Sequence, residues 1–194
     1  MTDAKLACVN KIFPNWNTGG VGVAVDVGAN DGLFQNWSLS LERAGWRVLC
    51  IEGNPKHMDA LSARRKEAVL EVIGAVDGED KEFIVYHSPN EASYSGIVER
   101  PPGKPVANRF DVKTKMLSTC LIEHDIEHVD ILGLDIEGGE LDALSPFDFK
   151  RWGPKLIFCE QRVHKEELEA LFTQNGYVVI GVDAWDAIWG LADA

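Results

Sequence analysis

The chain reads as an α/β domain: a mostly parallel sheet with helices on both faces and one antiparallel strand brought in by a C-terminal hairpin. Three observations predict it. Apolar runs at residues 21–27, 47–51, 68–76, 129–136 and 155–159 are separated by stretches of helical period, which is the alternation of parallel βα units. The first run stops at Gly28, and after Gly32 the residues Phe34, Trp37, Leu41 and Ala44 fall on one helical face, so a strand turns on glycines into a helix. Residues 177–182 and 187–191 flank a turn at 183–186; the two arms of a hairpin run in opposite directions, so one of them opposes the sheet. A length of 194 residues suits one domain with a real core. It divides into a lead segment, 1–20, and a domain, 21–194.

The turn Asp26-Val27-Gly28-Ala29-Asn30-Asp31-Gly32 is the most informative stretch. A glycine turn between strand and helix is expected to leave backbone N–H groups facing open space beyond the strand. Dinucleotide sites follow Gly-x-Gly-x-x-Gly, shaped around a pyrophosphate. Here the spacing is Asp-x-Gly-x-x-x-Gly, with Asn30 in the second glycine's place. This resembles the first motif of Rossmann-like methyltransferases that use S-adenosylmethionine, in which the turn faces an amino acid and a ribose. The resemblance makes Asp26, Gly28, Ala29, Asn30 and Gly32 cofactor-binding candidates. The plain alternative is a tight turn with no ligand.

The elements follow in order. Leu6, Val9, Ile12, Phe13 and Trp16 suit a short amphipathic helix packed on the domain. Gly45 closes the helix after the glycine turn. The second strand ends at Glu52-Gly53-Asn54-Pro55, where Asn54 caps a helix and Pro55 takes its first position. Glu52 stands one strand-helix-strand unit beyond the glycine turn, the place of the ribose-binding acid in Rossmann-like domains. The third strand, 68–76, leads to Asp77, which either accepts from an adenine amino group or belongs to a polar turn. Residues 81–87 alternate like a strand, and 110–116 suit another. Residues 88–105, with four prolines, are long and irregular; such loops are often functional, and Ser93 and Tyr94 are its candidates for substrate contact. The fourth strand leads into Asp135-Ile136-Glu137-Gly138-Gly139-Glu140. Carboxylates so close in an apolar setting need a hydroxyl, a cation or a proton; Glu140, in a first helical turn, is explained by the helix dipole. The fifth strand ends at Glu160, and a helix follows from His164 to Gly176.

Composition limits the function. The net charge is −12, which argues against a nucleic-acid or anionic-membrane surface. Cys8, Cys50, Cys120 and Cys159 form no Cys-x-x-Cys pair, so a reducing, cytoplasmic setting and no zinc site are expected. No signal peptide or membrane-spanning run stands out.

Taken together, the glycine turn, Glu52-Gly53-Asn54-Pro55, Leu134-Asp135-Ile136-Glu137-Gly138-Gly139-Glu140 and Glu160 resemble the FkbM-type methyltransferases over residues 21–190. Two positions depart from the family's pattern: Gly53 stands for a proline, and Gly133 for a lysine often found two residues before the aspartate. The resemblance implies a Rossmann-like class I methyltransferase fold and S-adenosylmethionine as cofactor. It implies O-methylation of a small hydroxylated acceptor such as a sugar, a glycolipid or a polyketide-like molecule. Asp135 or Glu137 would be the base, or would bind a magnesium-like divalent cation; Glu160, His87 and His164 are weaker candidates for the base, and Glu160 is also a candidate for contact with the acceptor. Two rivals stand beside this reading. One is an NAD-dependent oxidoreductase, which the glycine spacing disfavours; the other is a non-catalytic binding or assembly module that keeps the fold.

Overall fold

A computed structural model describes residues 1–19, 21–87, 95–99 and 105–192. The main sheet has seven strands. In chain order these are β1 (Val23–Val27), β2 (Arg47–Glu52), β3 (Ala68–Leu70), β8 (Ile131–Leu134), β9 (Leu156–Glu160), β10 (Tyr177–Asp183) and β11 (Asp186–Leu191). A smaller four-stranded sheet holds β4 (Val72–Ile73), β5 (Asp80–Tyr86), β6 (Ser95–Gly96) and β7 (Val106–Lys115). The helices are α1 (Asp3–Ile12), α2 (Leu39–Arg43), α3 (Pro55–Arg64), α4 (Leu117–Glu123), α5 (Glu140–Leu144), α6 (Phe149–Trp152) and α7 (Lys165–Gln174).

The main sheet runs β10-β11-β9-β8-β1-β2-β3. Neighbours from β9 to β3 pair in parallel, and β11 is antiparallel to both β9 and β10. The hairpin's second arm is therefore inserted inside the sheet, and its first arm forms the edge. This is the class I methyltransferase arrangement, a mostly parallel α/β sheet.

Alternation along the strands sorts the core into two layers. Val25, Leu49, Leu132 and Ile157 point to one face, where α4 to α7 pack. Ala24, Val48, Ile131 and Leu156 point to the other, with Cys8 and Val9 of α1, Leu41 of α2 and Leu61 of α3. The Asn54 side chain accepts from the Lys56 N–H and caps α3, with Pro55 at its first position, as the sequence predicts.

Two elements differ from expectation. The helix after Gly32 begins only at Leu39. Residues 36–38 instead wrap around the Asp26 carboxylate, which accepts from Asn36 Nδ2 (2.8 Å), Trp37 Nε1 (2.8 Å) and Ser38 Oγ (2.6 Å). Three bonds to a buried charge outweigh one more helical turn. The run 68–76 also splits: β3 joins the main sheet, while β4 pairs with β7 of the small one. Glu71 separates the two and donates its N–H to the Glu52 carbonyl. Phe83 stacks on Phe110 with centroids 5.2 Å apart, giving the small sheet its own apolar centre. Among the described residues no helix is long and apolar enough to cross a membrane.

Candidate functional site

A cavity of about 450 Å³ lies along the carboxyl ends of β1, β2, β8 and β9, the ligand crevice of open parallel sheets; small-molecule sites commonly measure about 300–1,000 Å³. One end is formed by Gly28, Ala29, Asn30, Glu52 and His57, with Val72 and Phe83 from the small sheet. The other end carries Asp135, Glu137, Glu160, Asp186, Lys5 and Arg162. Gly96 of β6 bridges the two: a Cβ there would stand 3.1 Å from the Ile136 carbonyl.

The N–H groups of the glycine turn are taken up by the end of β2 and by the turn itself. Gly28 and Ala29 donate to the Ile51 carbonyl (2.9 and 3.1 Å), Gly32 to the Ala29 carbonyl (3.1 Å), Asn30 to Glu52 Oε2 (2.7 Å) and Asp31 to Asn30 Oδ1 (2.6 Å). This corrects the expectation of outward-facing donors. A pyrophosphate would find none of these five free, so the turn offers shape rather than an anion cradle. Gly28 has φ +86°, and a Cβ on it would fall 1.9 Å from the Asp135 carbonyl oxygen; no side chain fits where the end of β1 passes the end of β8. Gly32 faces away from the cavity, against Leu61 and Arg65 of and beside α3.

Glu52 is buried at the end of β2. Its carboxylate accepts from the Asn30 and Asn54 N–H groups, both at 2.7 Å, which leaves each oxygen a lone pair for a ligand hydroxyl. Burial raises its titration above the ordinary carboxylate range, against the pull of those N–H groups and of His57. Asp26 lines the cavity, but its carboxylate is engaged by residues 36–38.

Asp77 is placed elsewhere. Its carboxylate accepts from the Met116 N–H and Thr119 Oγ1, both at 2.7 Å, and so caps α4; these bonds lower its titration. Because the third run splits, Glu71, Val72 and Ile73 occupy the cavity wall where Asp77 was expected. Ser93 and Tyr94 lie outside the described residues. His87 is exposed, and His164 holds the N-cap position of α7 without a side-chain capping bond, 3.6 Å from Glu167; neither lines the cavity.

At the second end, strand register gathers the acids. Leu134 pairs with Cys159, and Glu160 with Asp186, so Asp135, Glu160 and Asp186 stand side by side across three strands. Solvent reaches Asp135 through the cavity. Protein nevertheless surrounds its carboxyl, and burial first, then the nearby Asp186, push it up to about 6. Burial pushes Glu160 up to about 8, with Asp135 and Glu140 adding to it. Arg162 pairs with Glu160 at 2.8 Å. Glu137, at φ +60°, lines the cavity in the turn after Asp135. Glu140 folds back onto that turn, accepting from the Ile136 N–H (2.8 Å) and the Gly138 N–H (3.0 Å). It is a buried clamp, pushed by burial up to about 7.

Asp135, Glu140 and Glu160 bring one oxygen each within 4.8 Å of one another. Glu140 already accepts from two backbone N–H groups and Glu160 pairs with Arg162, so a magnesium-like ion here would have to share or displace those partners.

Residues 26–179 match the family model described as the methyltransferase FkbM domain. The chain belongs to that family. It is also similar in structure to a putative RNA methyltransferase from Pyrococcus horikoshii, with 12% identity, a TM-score of 0.44, and coverage of 96% of this chain and 84% of that one. No curated protein matches it in sequence. At both glycines singled out in the sequence, a side chain would have no room. A Cβ on Gly53 would lie 2.8 Å from the Phe83 ring, and one on Gly133 would lie 2.5 Å from the Trp37 indole. Trp37 is fixed there by its bond to Asp26, so it fills the space a longer side chain at 133 would need.

The cofactor of this fold, S-adenosylmethionine, fits the chemistry of the cavity. Among the described residues seven carboxyl groups line it against two cations, Lys5 and Arg162. Such a field favours a positively charged sulfonium and repels a pyrophosphate.

Proposed function

We propose that this FkbM-family protein transfers a methyl group from S-adenosylmethionine to a hydroxyl of a small acceptor, with Asp135 as proton acceptor. The carrying observation is that one cavity joins the Gly28–Asn30 turn and Glu52 to the Asp135–Glu160 cluster. Gly28 touches the backbone of Asp135, so cofactor and acceptor ends meet at the ends of two adjacent strands. Gly28, Ala29 and Asn30 hold the methionine part, and Glu52 accepts from the ribose hydroxyls. S-adenosylmethionine, when bound, supplies a methyl group on a positively charged sulfur. Positioning does most of the remaining work. Asp135 takes the proton that the acceptor hydroxyl must lose; a carboxyl titrating near 6 is largely ionised at neutral pH and still basic enough to accept. Glu137 and Glu160 hydrogen-bond the acceptor. The acidic lining suits a neutral, polyhydroxylated acceptor better than a phosphorylated one. The four cysteines are buried and free, which fits a reducing, cytoplasmic setting.

Calorimetry with S-adenosylmethionine and S-adenosylhomocysteine, followed by a hydroxylated-acceptor screen, tests the reading. Binding by both wild type and Asp135→Asn, with transfer in wild type alone, supports it. Absence of binding to wild type overturns it.

A further inference from the structure

The acceptor end takes its buried positive charge from outside the family-matched span. Lys5 lies in α1, well before residue 26, and its side chain is only 10% exposed. Its ammonium pairs with Asp186, stands 3.8 Å from Asp183 and lies 5.4 Å from the centre of the Phe158 ring. Lys5, Phe158, Asp186 and Asp135 line the same cavity. Lysine is among the residues least often buried, and this one points into the site rather than along the surface. The docking of α1 does not depend on it alone. Thr2 Oγ1 donates to Asp183 at 2.5 Å, and Cys8 and Val9 are buried in the core. The other cation, Arg162, is bound to Glu160 and lies over the exposed Trp185 ring at 4.7 Å.

We propose that Lys5 is the positioning residue of the acceptor end: its ammonium, held against Asp186 in the cavity that Asp135 lines, favours the charged form of Asp135, so that Asp135 is available to take the acceptor's proton. The proposal rests on the reading of Asp135 as proton acceptor. Adjacent carboxylates repel one another, and a cation beside them favours the charged form. The groups facing Asp135 are Asp26 from β1, Glu137 from its own turn, Glu140 from α5, Cys159 and Glu160 from β9, Arg162 from the loop beyond, Asp186 from β11 and Lys5 from α1. Among these described groups Lys5 and Arg162 are positive; both favour the charged form of Asp135, Lys5 the more strongly, and Arg162 also pairs with Glu160. The proton balance is simple: the hydroxyl's proton passes to an Asp135 oxygen and leaves to solvent when the carboxyl ionises again. Lys5 exchanges none.

The test is a carboxyl-detected carbon NMR titration of Asp135 in the full chain, with its signal assigned by its loss in Asp135→Asn. In Lys5→Met the midpoint should rise by about one pH unit or more. Lys5→Arg should bring it back to within about half a unit, because the charge is retained. Cys8→Ala, which loosens α1 but keeps the ammonium, should leave it unmoved. Asp186→Asn should lower it, because a like charge is removed; Lys5→Gln, with the same rise expected, decides the matter should Lys5→Met fail to fold. An unmoved midpoint in Lys5→Met, an equal rise in Cys8→Ala, or no recovery in Lys5→Arg overturns the proposal. The titration needs neither cofactor nor acceptor. A rise without any methyl transfer would therefore fault the proposed function, whereas an unmoved midpoint in an active enzyme would fault Lys5 alone.

Discussion

Replacing Glu52 separates two jobs that one carboxylate performs. In the folded chain it accepts from the buried N–H groups of Asn30 and Asn54, each at 2.7 Å, and under the proposed function its remaining lone pairs accept from the ribose. Glu52→Ala removes both. Leaving a buried donor unsatisfied costs about 1–3 kcal/mol, so the two orphaned donors together cost roughly 2–6 kcal/mol of stability. For a chain of this size, about 1 kcal/mol corresponds to roughly 2–4 °C in Tm, and a fall of roughly 5–20 °C is expected by calorimetric melting. Hydrogen bonds to a charged acceptor contribute about 1.5–3 kcal/mol, so the Kd for S-adenosylhomocysteine should rise about ten- to hundredfold. Glu52→Gln separates the jobs. One amide oxygen still serves one backbone N–H, while the amide nitrogen faces the other, so part of the stability returns and most of the affinity does not. The reasoning fails if Glu52→Ala melts lower yet binds with wild-type affinity, for the carboxylate would then serve only the turn.

Three further outcomes are expected. Gly28→Ala should cost about 1–3 kcal/mol from backbone strain alone, and more because its Cβ meets the Asp135 carbonyl; thermal melts should show this, with cofactor affinity falling in parallel. Gly133→Ala should destabilise because its Cβ meets the Trp37 indole, and adding Trp37→Ala should cost less than the sum of the two single changes; additive losses would refute the steric account. Asp135, Glu140 and Glu160 titrate near 6, 7 and 8 in the fold against ordinary values of 3.8, 4.5 and 4.5. The folded state therefore holds protons that the unfolded state has released. Their contribution is present at about pH 4 and is lost as pH rises through about 6 to 8. The Tm of the cofactor-free protein should fall by several degrees across that window, and Glu160→Gln should flatten the fall.

Much of the fold is legible in the sequence because it is local. Asn54-Pro55 writes a helix start into two residues, and the apolar runs mark the buried strands. The methyltransferase family is carried by short blocks at strand ends, and Glu52, Asp135 and Glu160 do come to one cavity. What the sequence hides is decided by distant partners. Asp77 looks like a strand-end acid, but its fate depends on Met116 and Thr119, about forty residues on, and on the split of the strand before it. The helix after Gly32 starts late because the Asp26 carboxylate needs three donors, which periodicity does not reveal. Asp186 has a faint signal, since the hairpin register sets it beside Glu160. Lys5 has none: nothing in the N-terminal segment says that its ammonium will reach a pocket built by strands more than a hundred residues away.

The placement of β11 bears on the order in which the chain acquires its shape. It follows every other strand in sequence, yet it lies between β9 and β10. Until residues 186–191 arrive, β9 keeps an open edge and β10 has no strand to pair with. The same step delivers Asp186, and with it the partner of Lys5. During synthesis, which proceeds from the N-terminus, the glycine turn and Glu52 can be in place long before the acceptor end exists. The two halves of the cavity thus mature at different times, and the second is sealed only by the closing strand.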